Sequence, residues 1–95
     1  MDINYDRLPE HMRGTAKRYI EYGINPGSFL SAVICNDLFG AYCKADWINE
    51  KHMRDWIMFF YNDAPYQCFG SREAMDAWMK GRRESAGEIP ASDTN

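Results

Sequence analysis

The sequence predicts an all-α fold, a small bundle of about four helices followed by a disordered C-terminal tail. Apolar residues recur at three- and four-residue spacing through four stretches, and Ser, Asn, Asp, Gly and Pro punctuate the gaps between them. Nothing alternates with period two for long enough to require a sheet. Ninety-five residues make one domain, near the low end of the sizes at which a single core is comfortable. The boundaries expected are a helical domain over 1–81 and a tail over 82–95.

The first helix is expected from about Pro9 to Tyr22. Pro9 suits a first helical turn, where its missing N–H costs nothing. Leu8, Met12, Ala16, Tyr19 and Ile20 form the apolar stripe, and Gly23 is the stop. Gly14 costs about 1 kcal/mol relative to alanine, so it either permits close packing or marks a bend. Asn25-Pro26-Gly27 reads as a turn, with Ser28 as N-cap of a second helix from about Phe29 to Lys44. Leu30, Val33, Ile34, Leu38, Ala41 and Tyr42 stripe that helix. It is apolar on nearly all sides and is therefore expected at the centre. Asp46 or Asn49 caps a third helix to Tyr61, striped by Met53, Trp56, Ile57 and Phe60. Asn62–Gly70 reads as a loop around Asp63-Ala64-Pro65. Ser71 caps a fourth helix to about Lys80, with Glu73 at the positive end of its dipole and Met75, Trp78 and Met79 inward. From Gly81 the chain is polar and aperiodic.

A net charge of −3 and a pI near 5.2 leave no overall basic field for a nucleic-acid backbone, so generic DNA or RNA binding is not expected. Cys35, Cys43 and Cys68 are an odd number without C-x-x-C spacing. No secretory signal opens the sequence, so they read as reduced thiols of a cytoplasmic protein. Cys35 and Cys43 are most simply small buried residues of the long apolar helix. No apolar run approaches the roughly 20 residues that span a bilayer, and no membrane role is expected. Three Trp, six Tyr, five Phe and six Met are more large side chain than so small a core easily hides. They either fill the core or lie on a contact surface, and a homo-oligomer would relieve the same problem.

No catalytic fingerprint is present, and His11 and His52 fall on different helices, so no enzyme is expected. A metal site would have to gather Cys35, Cys43, Cys68 and a histidine from four segments, so neither metal nor cofactor is expected. Asn36 and Asp37 fall in mid-helix, where both are poor formers. They either make a structural network or mark a ligand site, because Gly40 nearby leaves room for an approach. Ser28 and Ser71 stand at helix starts beside glycine, a setting that suits anions. Arg13, Lys17 and Arg18 are a basic segment that either faces solvent or holds phosphate. Tyr19, Tyr22 and Tyr66 could then stack on a base.

Certain strings also carry a likeness. They are Leu8-Pro9-Glu10-His11-Met12-Arg13, Tyr19-Ile20-Glu21, Gly23-Ile24-Asn25-Pro26-Gly27-Ser28-Phe29-Leu30 and Asn36-Asp37-Leu38, continued by Ala45-Asp46, Asn49, Tyr61-Asn62-Asp63-Ala64-Pro65, Gly70-Ser71 and Trp78. In these strings the chain resembles a family of small proteins encoded by tailed bacteriophages and prophages, over about Leu8–Lys80. Phe69, before Gly70-Ser71, is a mild departure from that pattern. The resemblance implies a context and not a mechanism. Small phage accessory proteins often counter bacterial immunity, some by sequestering nucleotide second messengers in homo-oligomers and others by occluding a defence complex.

The function expected is therefore sequestration of a phosphate-bearing nucleotide, such as a cyclic oligonucleotide, by a homo-oligomer in the infected bacterial cytoplasm. Arg13, Lys17, Arg18, Tyr19, Tyr22, Ser28, Asn36, Asp37, Tyr66 and Ser71 are the expected ligand residues. The alternative is an acidic inhibitor of a host defence protein, such as a CRISPR effector, acting through an aromatic patch of Trp47, Trp56 and Phe59. A regulator or structural accessory of phage replication is a third option.

Overall fold

The computed structural model describes residues 3–85. Six α-helices and no strand lie among them: α1 (Glu10–Tyr22), α2 (Ser28–Ile34), α3 (Leu38–Lys44), α4 (Trp47–Lys51), α5 (Met53–Met58) and α6 (Arg72–Ser85). A wider π-type turn, Phe59–Asp63, prolongs α5, and a 3₁₀ turn spans Tyr66–Cys68. The all-helical expectation holds, while the expected four helices become six. The extra breaks fall within the second and third predicted helices, and the segment read as a loop is partly helical.

The second predicted helix breaks because Asn36 is left-handed, with φ 66°. Its N–H bonds Val33 O at 3.1 Å and the Asp37 N–H bonds Ala32 O at 2.8 Å, a paired pattern that closes a helix end. Asn tolerates this backbone region better than most residues. Asp37 then restarts the chain by accepting the Gly40 N–H at 3.0 Å as N-cap of α3. The two residues are thus turn chemistry and not a mid-helix interruption. The space beside Gly40 is also taken, since a Cβ there would run into the Asp37 carboxylate.

The third predicted helix breaks at His52, between α4 and α5. Asp46 caps α4 by accepting the Asn49 N–H at 2.7 Å, and Asn49 is itself buried. Its side-chain oxygen accepts the Trp56 indole N–H at 3.1 Å, so the cap leads directly into the core. Trp56 is fully buried between Phe29, edge-on at 5.7 Å, and Phe60, stacked at 6.3 Å. Phe59 and Phe60, neighbours in the π-type turn, are both buried. Ile57, expected inside, lies on the surface. Cys35 is only half-buried and Cys43 is exposed, which corrects the expectation that both are buried; Cys68 is the fully buried thiol.

α1 packs along α6. Gly23 ends α1 with φ 71°, and a Cβ there would stand 2.5 Å from the Met79 carbonyl oxygen. The last carbonyls of α1 collect two arginines of α6. Arg82 Nε donates to Glu21 O at 3.4 Å and Arg83 Nη1 to Gly23 O at 3.1 Å. These anchors explain why α6 runs to Ser85, past the expected start of the tail at Arg82. Positions 86–95 of that tail lie outside the described residues.

Candidate functional site

The ten residues expected to hold a ligand do not converge. Tyr19 is fully buried in the core and donates its hydroxyl to Cys68 O at 2.7 Å. Burial chiefly holds its phenol protonated far above the ordinary tyrosine range. It offers no stacking face. Arg13 turns back on the N-terminal segment, with Nε donating to Leu8 O at 3.0 Å and Nη2 to Asp6 O at 2.9 Å. It is a backbone clamp. Arg18 is exposed and donates to Thr15 Oγ1 at 3.3 Å, while Lys17 is exposed and makes no ion pair among the described residues.

Tyr22 and Tyr66 are exposed at separate places, the end of α1 and the 3₁₀ turn. Ser71 is committed as a cap, its Oγ accepting the Ala74 N–H at 3.0 Å. Ser28 is the first residue of α2 and not its cap. Gly27 holds the cap position, its N–H bonded to Asn25 Oδ1 at 2.9 Å.

Ser28 and Asp37 do meet at one opening. It is a groove of about 340 Å³ whose lining includes Ser31 of α2, Lys44 at the end of α3 and Arg72 at the start of α6. Lys44 and Ser31 did not stand out in the sequence. Ser31 could have, because it lies three residues after Ser28 on the same helical face. Asn36 and Asp37 also border an apolar slot of about 60 Å³ lined by Val33, Leu38, Ala41, Met53 and Ile57.

That slot adjoins α3, a helix with little cover. On α3 only Ala41 is buried, whereas Phe39 is 85% exposed, Leu38 57% and Tyr42 47%. The aromatic patch expected around Trp47, Trp56 and Phe59 does not exist as such, because Trp56 and Phe59 are core. Trp47 alone of the three is outside, 68% exposed, with Lys51 Nζ 5.6 Å from its ring centre. The surplus of large side chains comes to the surface in several places, Trp47, Tyr61 and Tyr66 among them, and three such side chains share α3.

A third opening, about 790 Å³ and wide, lies between the N-terminal segment and α4 and includes Arg13, His11 and His52. Each histidine already faces a carboxylate: His11 Nε2 lies 3.1 Å from Asp46 Oδ2, and His52 Nδ1 lies 2.8 Å from Asp55 Oδ2. The Asn49 N–H, then His11, hold the Asp46 carboxyl below the usual carboxylate range. No group of three or more His, Cys, Asp or Glu gathers among the described residues as metal ligands would. Among them, no helix is long and apolar enough to cross a membrane, and no buried side-chain nitrogen or oxygen lacks a partner.

The geometry thus defines a small helical domain with a largely exposed apolar helix, α3, and a polar groove lined by residues of α2, α3 and α6. Set against protein-family models, curated proteins and solved structures, the chain matches none of them.

Proposed function

We propose that this chain is a non-catalytic binding module that works by protein contact through α3, as a phage accessory protein that blocks a host defence protein. The observation that carries this is the exposure of Phe39, with Leu38 and Tyr42 beside it, on a helix that buries only Ala41. An aromatic side chain buries about 150–250 Å² when covered, and such residues dominate interface energetics. Turn and cap bonds at Asn36, Asp37 and Gly40, with Ala41 and the packing of α3 on α2, seat the helix and leave Leu38, Phe39 and Tyr42 outward. The phage setting rests on the resemblance of the strings over Leu8–Lys80.

The test is capture from bacterial lysate by tagged protein, comparing wild type with the double variant Phe39→Asp, Tyr42→Asp. A Tyr66→Asp variant serves as control, because Tyr66 is exposed elsewhere. Loss of a specific captured protein in the double variant alone, with an unchanged melting temperature, is the expected result. Equal capture by all three proteins overturns the reading.

A second reading, sequestration of a phosphate-bearing nucleotide by a homo-oligomer, is favoured by the groove that joins Ser28 and Ser31 to Lys44 and Arg72. Native mass spectrometry of gently purified protein tests it. A defined oligomer carrying a small mass that absorbs near 260 nm is the outcome it requires.

A further inference from the structure

We infer that the groove between α2, the end of α3 and the start of α6 is an oxyanion site that takes the phosphate group of a small molecule. The inference rests on the second reading above and is independent of any protein docked on α3.

Four groups of suitable chemistry come from three separate elements: the Ser28 and Ser31 hydroxyls, the Lys44 ammonium and the Arg72 guanidinium. Neither Lys44 nor Arg72 makes an ion pair or a side-chain hydrogen bond among the described residues, and both are exposed. Arg7 pairs with Asp63 at 3.0 Å, Arg13 clamps backbone, and Arg82 and Arg83 hold the end of α1, whereas Lys17, like Lys44 and Arg72, makes no ion pair among the described residues. A guanidinium, an ammonium and two hydroxyls lining one opening make a donor set suited to phosphate oxygens.

The lining contains one carboxylate, Asp37, and one of its oxygens is occupied by the Gly40 N–H. The lining side chains themselves carry two cations against this one carboxylate, in a chain whose net charge is −3. Cys35, which lines the opening, feels charges of both signs. Burial pushes its thiol up, and Arg72 is the strongest charge acting on it, in the opposite direction, against Asp76, Asp37 and Glu73. Asp76 and Glu73 do not line the opening. At about 340 Å³ the groove lies at the small end of the roughly 300–1,000 Å³ typical of ligand pockets, suited to a phosphate with one modest substituent.

The test titrates the full chain with pyrophosphate and, separately, with AMP at low salt, followed by amide chemical shifts. Saturable shifts at Ser28, Ser31, Lys44 and Arg72 are expected. Lys44→Gln and Arg72→Gln should each weaken binding roughly five- to tenfold, as the loss of one exposed charge-assisted bond would. Asp37→Asn should tighten it, because Asn caps a helix as well as Asp does while removing the opposing charge. Lys17→Gln, outside the groove, should change nothing. AMP binding more tightly than pyrophosphate identifies a nucleotide as the source of the phosphate, and equal affinities identify phosphate alone. Saturable binding that Lys44→Gln and Arg72→Gln leave unchanged overturns the groove while sparing the second reading. Shifts that never saturate and weaken as much in Lys17→Gln overturn both.

Discussion

α2 and α3 are seven residues each, both largely apolar, and separated by only three residues, yet they have opposite fates. α2 buries Phe29, Leu30, Ala32 and Ile34. α3 buries Ala41 alone and leaves Leu38, Phe39 and Tyr42 to solvent. In one unbroken helix Leu30, Ile34, Leu38 and Ala41 would share a stripe. The left-handed turn at Asn36 re-aims the chain, and the second half of the stripe leaves the core. Apolar content alone did not set burial here. Two polar residues between the halves did.

The largest effect that tests this contrast is in α2. Leu30→Ala should cost about 2–5 kcal/mol, because the side chain is fully buried and its cavity can only partly collapse. Urea unfolding followed by circular dichroism checks it. A loss below about 1 kcal/mol would mean that α2 is no better seated than α3.

Much of this architecture is legible in the sequence where one element carries one signal. The stripe of α1 with its Gly23 stop, the Asp46 and Ser71 caps, and Met75 and Met79 on the inner face of α6 all hold in the structure. The failures have a common cause. Asn36-Asp37 and His52 interrupt helices that periodicity carries straight through, since an i, i+4 pattern cannot distinguish one long helix from two short ones in a new direction. Asn followed by Asp three residues before Gly was the available signal, a left-handed stop followed by a cap. The candidate site was less legible. Arg13 and Tyr19 have the right chemistry for a ligand, but their partners are Leu8 O, Asp6 O and Cys68 O, backbone atoms that no side-chain pattern announces. Lys44 and Arg72 lie in distant segments that only the fold brings to one groove.

The contrast extends to the thiols. Burial pushes Cys68 up to about 12, whereas Cys43 sits exposed on α3. The folded Cys68 keeps its proton where an unfolded thiol, near its ordinary value of 9.0, has released it. Between those values the unfolded chain binds fewer protons, so stability falls as pH rises. It is unaffected below about 9 and declines by up to about 1.4 kcal/mol per unit above it. Cys68→Ala should make that alkaline decline shallower, with Cys35, Tyr5 and Tyr19, also pushed up chiefly by burial, accounting for what remains, and Cys43→Ala should leave it intact. A flat profile in the wild type between pH 9 and 11 would show that Cys68 is not held as described.

The turn itself supplies the next smaller effect. Asp37→Ala removes the cap and should cost about 1 kcal/mol, while Asp37→Asn should cost almost nothing. Asn36→Ala should cost a comparable 1–2 kcal/mol, because alanine resists the left-handed conformation that Asn36 adopts. Equal stability of Asp37→Ala and Asp37→Asn would show that α3 is held by packing and not by its cap.

The smallest effect is the most telling for function. Phe39→Ser should change unfolding free energy by no more than about 0.5 kcal/mol, since an 85%-exposed side chain has little burial to lose. A large apolar residue that contributes nothing to the fold is costly to keep on a surface, where it promotes non-specific association. Its presence is accounted for if a partner covers it. Stability unchanged and partner capture lost in one variant would separate the two roles. A loss of several kcal/mol would instead place Phe39 in the core, return α3 to the same status as α2, and remove the docking face from consideration.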